Sequence, residues 1–330
     1  MASKSGSGSS KYKCLACYSQ MLCVIQSLTL IQTCSGEIVG TYVLPHGGIS
    51  LDPTHFNTTN QTAIQEAWAI HDAALGVGQS ISHLNPDLIF LSTPHGIADL
   101  RQFIFYLNPT GFGVADTDNC QCPPCCYNIS IGMDSTVASI LIRELKLKLM
   151  DVSGLSAFGP PGGASDDFPL KWGEVIPLKF LGNLTHSTKV IILSQPSRRY
   201  TDTVEMIPEL LDLGSDMYHI LSSLGRRVVV IISSDLAHTH DKDGPYGFSK
   251  AAKPFDKACG LWASTLDENS LLNIAAKYVD KAKSCGYTGL VMLHGMLQAG
   301  GLQNWTPNLY ANFHPSYYGM MVASFVLNND

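Results

Sequence analysis

The run RRVVVIISS at residues 226–234 is the strongest constraint this chain places on its own fold. Successive side chains of a strand point to opposite faces, so consecutive Val and Ile make both faces apolar, and both must be covered. KVIILS (189–194) and DLIFLST (87–93) repeat the pattern, and EIVGTYVLP (37–45) reads the same way. Such strands suit the interior of a parallel sheet, whose members need helical crossovers between them. The intervening sequence supplies these. QTAIQEAWAIHDAALGV (61–77) sets Ile64, Ala67, Trp68 and Leu75 on one helical stripe. DSTVASILIRELKLKLM (134–150) opens on an Asp-Ser cap and holds helical periodicity until SAFGPPGGASDD breaks it. TVEMIPELLDLGSDMYHILSSLG is helical, and ENSLLNIAAKYVDKAKSCG (268–286) is expected to be another helix, ending at a Gly. RQFIFYLN reads as a third strand and SYYGMMVASFVLN as the closing one. The expected fold class is α/β, a mostly parallel central sheet covered by helices, in a single domain over residues 37–330.

Composition narrows the function. Of 330 residues, 45% are hydrophobic and only 15% charged, enough apolar volume for a large core. The net charge of −6, with no basic stripe, argues against a nucleic-acid partner or an anionic membrane surface. Residues 1–36 read as a disordered or targeting leader. MLCVIQSLTLIQT (21–33) is too short and polar to span a bilayer; it resembles a secretion signal but lacks an A-x-A cleavage pattern. A cytoplasmic protein is expected, with secretion the minority alternative; only then would the sequons at Asn57, Asn60, Asn128 and Asn183 matter. Ten cysteines in so long a chain suit a reducing compartment better than a disulfide scaffold. Six cluster: Cys14 with Cys17, and Cys120, Cys122, Cys125 and Cys126 in NCQCPPCC. Thiols at zinc spacing without a matching second half read as a cysteine-rich surface loop.

Histidine follows three of the apolar strands directly: His46 in VLPHGG, His95 in STPHG, and His238 in SSDLAH, which also holds Asp235. Sites of open α/β sheets gather beyond the carboxyl ends of strands, so parallel strands bring these groups to one edge. Histidines with a carboxylate can hold a ferrous ion with positions left open, and zinc is the chemically adjacent option. GxGxxG after a strand, GxxxxGK[ST], GxSxG and HExxH are all missing from the sequence.

PHGG (45–48), STPHG (92–96), LKWGEVIPLKFL (170–181), SSDLAH (233–238), GPYGF followed by PFD (244–256) and CGYTGLVMLHGML (285–297) resemble, in that order, the class III extradiol ring-cleavage dioxygenase superfamily, the LigB-type catalytic subunit fold that includes the Memo-like proteins. The resemblance covers residues 38–328. It implies Fe(II), an aromatic diol or aminophenol substrate and O2, with His46 and His95 as metal ligands and His238 as the general acid/base. The dioxygenases' third ligand is a glutamate, whereas this chain has Ser284, Cys285 and Gly286 there. Memo-like relatives place a cysteine at that position, so Cys285 and Asp235 are both candidates for third ligand. The resemblance therefore implies an Fe(II)-dependent extradiol dioxygenase as the expected function, with a Memo-like metal-binding protein in signalling or redox as the alternative; a carboxylate as third ligand favours the first and a thiolate the second. His240 is expected to support the site or relay protons, and His314 to line the pocket. His294 is expected to pack inside a helix and Asp52 to make a turn; Tyr246 and Phe248 either shape the pocket or, as loop aromatics more often do, pack locally; Trp172 and Glu174 stand where many dioxygenases have a histidine-glycine pair. The sequence leaves a homo-oligomer open.

Overall fold

The computed structural model describes residues 36–159 and 166–328. The expected leader, with Cys14 and Cys17, lies outside the described residues, apart from Gly36. Eleven strands are described: β1 (Glu37–Leu44), β2 (Leu88–Thr93), β3 (Phe103–Tyr106), β4 (Thr110–Ala115), β5 (Tyr127–Gly132), β6 (Val152–Leu155), β7 (Phe168–Leu170), β8 (Lys189–Ser194), β9 (Arg227–Ser233), β10 (Trp305–Phe313) and β11 (Met320–Leu327). Eight form one sheet in the order β10-β11-β1-β9-β2-β8-β3-β6, and β5-β4-β7 form a small second sheet. β1, β9, β2 and β8 run parallel, while β10, β11 and the β3–β8 pairing are antiparallel.

The β-branched runs are buried on both faces. Val228, Val230 and Ile232 enter one core with Leu88 and Phe90, and Val229 and Ile231 enter the other with Ile89 and Leu91. Each such side chain stabilises by about 1.5–3 kcal/mol on full burial, so slipping a strand by one residue would leave neither face uncovered by apolar groups, and the parallel order is fixed instead by the crossovers. The α-helices longer than one turn are α1 (Gln61–His83), α2 (Ser135–Leu147), α3 (Trp172–Lys179), α4 (Ile207–Ser222), α5 (Ala252–Thr265), α6 (Ala276–Ala282) and α7 (Tyr287–Ala299). α2, α4, α5 and α7 cover the first core, and α1, α3 and the small sheet cover the second.

The expected single helix over 268–286 is a π-helical turn, Ser270–Ala275, followed by α6. It ends at Ala282 because Lys283 takes a left-handed conformation (φ 59°), not at Gly286. Ser284 and Cys285 therefore lie in a connection, clear of the helix.

Asp134 starts α2: its Oδ1 accepts from the Val137 amide at 3.1 Å, and its Oδ2 lies 2.7 Å from Arg226 Nη1. Burial opposes its charge, but the Arg226 guanidinium and the Val137 amide outweigh this and hold its pKa below the usual carboxylate value. Asp134→Ala is expected to cost about 1–2 kcal/mol in urea unfolding at neutral pH. A depressed folded pKa gives stability that is present above the unfolded pKa and lost as pH falls through the folded one, so the difference from wild type should shrink below pH ~4. An equal difference at acidic and neutral pH would contradict this role.

Candidate metal centre

β1, β9 and β2 are neighbours in register: Leu44 pairs with Ser233, and Ser92 with Ile232. Their carboxyl ends are level, so His46, His95 and Asp235, each two residues beyond its strand, converge on one spot. The rings of His46 and His95 meet edge to face with centroids 4.7 Å apart. Cys285 arrives from the connection between α6 and α7, which Asp235 anchors: its carbonyl accepts from the Gly286 amide at 3.2 Å and from Ser284 Oγ at 3.1 Å. Nitrogen atoms of His46 and His95 and Sγ of Cys285 all lie within 4.8 Å of one another, the span of a site for one ion.

The tautomer of His46 follows from its neighbours. Ser233 Oγ donates its single hydrogen to the Gly173 carbonyl at 2.6 Å, so it accepts from His46 Nδ1–H at 2.9 Å. Nε2 then carries a lone pair and sits 3.3 Å from both Cys285 Sγ and Asp235 Oδ2. Asp235 Oδ1 meanwhile accepts from the His46 amide at 3.1 Å. His238 Nδ1 donates to the Leu236 carbonyl at 2.9 Å, which leaves its Nε2 as the proton-accepting atom.

His46, His95, Asp235 and His238 line a cavity of about 290 Å³ with Trp172, Asp116, Thr117, Asp118, Tyr246, Tyr317 and Tyr318. The Trp172 ring lies 5.0 Å from that of His95, and His238 stacks on Tyr318 at 6.0 Å. Gly47 is required by space, since a Cβ there would meet the Tyr318 ring at 2.2 Å. The surroundings keep the imidazoles neutral. Burial, then the charges of Arg199 and His238, push His95 down to about 3; burial holds His46 well below its ordinary value, and takes His238 to about 4 against the pull of the Leu236 and Lys283 carbonyls. Burial raises Asp235 to about 8 despite the His46 and Gly47 amides, and it raises the Cys285 thiol well above its ordinary range.

The structure brings His46, His95, Asp235, His238 and Cys285 together beyond the strand ends. His240 and His314 do not reach the cavity lining. Asp256 captures His240 (Nε2–Oδ2 2.7 Å), and His314 stacks on the His240 ring with centroids 4.0 Å apart. His294 is a core histidine, accepting from Trp262 Nε1 at 3.1 Å. Asp52 caps a turn, Tyr246 lines the cavity and Phe248 lies outside it. Glu174 stays buried, holding the Tyr106 hydroxyl and the Lys171 amide at 2.8 Å each.

Arg199 had no signal in the sequence beyond two adjacent arginines in a loop. It is buried, donates to the carbonyls of Pro94 and Pro196 and to Tyr200, and has no carboxylate partner among the described residues. Its bond to Pro94 fixes the turn that carries His95, and its charge opposes protonation of both metal-facing imidazoles.

A sheet-edge cluster of imidazoles and a thiol beyond parallel strands, in an α/β fold, is a group of residues that could hold a metal ion. Residues 40–324 match the family described as the catalytic LigB subunit of aromatic ring-opening dioxygenase, and the chain belongs to that family. Protein CA_C1420 of Clostridium acetobutylicum is 26% identical over 158 residues, 47% of this chain; the match spans 32% of that protein's length. The crystal structure of the uncharacterized protein JW3007 from Escherichia coli K12 shares the fold, with a TM-score of 0.53 at 13% identity over 87% of this chain and 99% of that one. Ring-opening dioxygenases of the family generally use a metal, and this chain has residues able to hold one.

Proposed function

We propose that this chain is a Memo-like, metal-binding member of the LigB family that holds a transition metal through His46, His95 and Cys285 and serves in redox chemistry or signalling. The observation that carries this reading is the Cys285 thiol, 3.3 Å from His46 Nε2 and within the ligand set, at the place where the dioxygenases use a carboxylate. The donors fit an ion: the committed Ser233 hydrogen keeps the Nε2 lone pair directed at Cys285, and imidazole with thiolate suits iron, zinc or copper better than magnesium or calcium. His46, His95 and Cys285 would hold the metal, which would supply polarisation of a bound oxygen ligand and a lowered pKa for it. His238 Nε2 takes or returns the proton, Trp172 and Tyr318 flank the ligand space, and Arg199 keeps the imidazoles unprotonated.

Ser233→Ala tests the ligand set without touching it. Losing the acceptor of Nδ1–H frees the His46 tautomer, and zinc affinity is expected to fall about 10–100-fold in a chelator competition. Unchanged affinity would contradict the orientation argument.

A second reading, Fe(II)-dependent extradiol cleavage of a catechol or aminophenol with O2, is favoured by the His238 base beside a cavity of single-ring size. Anaerobic Fe(II) loading followed by a catechol panel in air decides between the two. O2 uptake with a ring-opened product would overturn the first reading, and His238→Ala should then lower turnover about 10²–10⁴-fold with metal retained. No uptake with any diol supports the Memo-like reading.

A further inference from the structure

We propose that the Cys120–Cys126 loop, once reduced, forms with His55 a second metal site, separate from the histidine-lined cavity and suited to zinc. In the structure this loop carries two disulfides, Cys120–Cys125 and Cys122–Cys126. Ligand atoms of His55, Cys120 and Cys125 nevertheless lie within 4.8 Å of one another. The imidazole comes from a distant part of the chain and is held there by built contacts. The Asn57 amide donates to Asn119 Oδ1 at 3.1 Å, and the Tyr127 hydroxyl donates to the Asp52 carboxylate. Thr117 and Cys120 exchange two backbone hydrogen bonds, at 3.2 and 3.3 Å. Asp52 Oδ2 also lies 3.8 Å from His55 Nε2, and a carboxylate beside a metal-bound imidazole is the usual means of orienting it.

Two thiolates and an imidazole make three ligands of a Cys3His zinc centre, and reducing the second disulfide supplies the fourth from Cys122 or Cys126. The step balances as follows. Each disulfide takes two electrons and two protons from a dithiol, which leaves as its own disulfide; each thiol that then binds zinc releases one proton. Sulfur paired in a disulfide is no thiolate ligand, so metal and disulfide exclude each other at Cys120 and Cys125. The loop also bears on the main cavity, because Thr117 and Asp118 line it and Asp118 accepts from the Tyr318 hydroxyl at 3.1 Å.

The test is zinc stoichiometry of the full chain, with the loop oxidised and after reduction by a water-soluble phosphine, read by competition with a chromophoric chelator. Reduction is expected to add about one equivalent of zinc. Cys120→Ser/Cys125→Ser should lose that equivalent and keep the cavity's; Cys14, Cys17 and Cys285 remain in this variant, so they cannot account for the loss. The exposed His55→Ala, which leaves every cysteine in place, should weaken the added zinc by at least about 10-fold. Cobalt should show thiolate charge-transfer intensity in the reduced chain above that of the Cys285 site in the oxidised chain, and the double variant should lose this increment alone. Equal stoichiometry in both redox states, which needs no variant to fold, would overturn the proposal; so would an extra equivalent surviving the double variant, or full affinity in His55→Ala.

Discussion

His46→Ala is expected to leave the chain folded and the metal centre empty. In the proposed set the ring is one donor of three, and its Nε2 lies 3.3 Å from both Cys285 Sγ and Asp235 Oδ2. Loss of a mere orienting partner already costs about 10–100-fold in metal affinity, so loss of the ligand itself should cost more than about 10²-fold. The fold should tolerate the change. Ser233 Oγ keeps its bond to Gly173, and the truncated ring gives up its contacts with Ser233 Oγ and Cys285 Sγ, at a cost of about 1–3 kcal/mol. Elemental analysis after zinc loading and desalting, with circular dichroism as the control, gives the result. Stoichiometric zinc in a folded variant would remove His46 from the ligand set.

Gly286→Ala should damage stability and metal binding together. The backbone at Gly286 is ordinary (φ −91°), so the glycine is needed for room: a Cβ there would sit 1.9 Å from Ser234 Oγ and 2.8 Å from the Asp235 carbonyl oxygen. Neither can move far, since the Asp235 carbonyl anchors the 284–286 connection and Ser234 is buried at the end of β9. The strain is expected to cost about 1–3 kcal/mol in urea unfolding of the metal-free chain. Its release moves Cys285, and a donor displaced beyond about 0.5 Å no longer meets the ion well, so zinc affinity should drop as well. A variant with unchanged affinity and stability would show that the connection has slack the structure denies it.

Much of this architecture was legible because burial on both faces writes itself into sequence. The runs at 189–194 and 226–234 became β8 and β9, and residues two beyond level strand ends had to meet. The small sheet left no such mark: β4, TGFGVA, is glycine-rich and exposed on one face, and β7 has three residues. β10 carries Pro307, which its place at the sheet edge tolerates. The break before Cys285 was hidden because a lysine, not a glycine, takes the left-handed turn at position 283. Within the site, the histidines announced themselves by position, but the loop after β9 could not show that Asp256 would draw His240 away. Arg199 and Trp172 reach the centre only through folding, from segments whose local pattern says surface.

X-ray absorption at the zinc edge of the loaded chain, with the 120–126 loop kept oxidised, tests the central claim most directly. The account predicts one sulfur neighbour at about 2.3 Å beside imidazole nitrogens at about 2.0–2.1 Å. A shell of nitrogen and oxygen alone would contradict it and return the third position to Asp235.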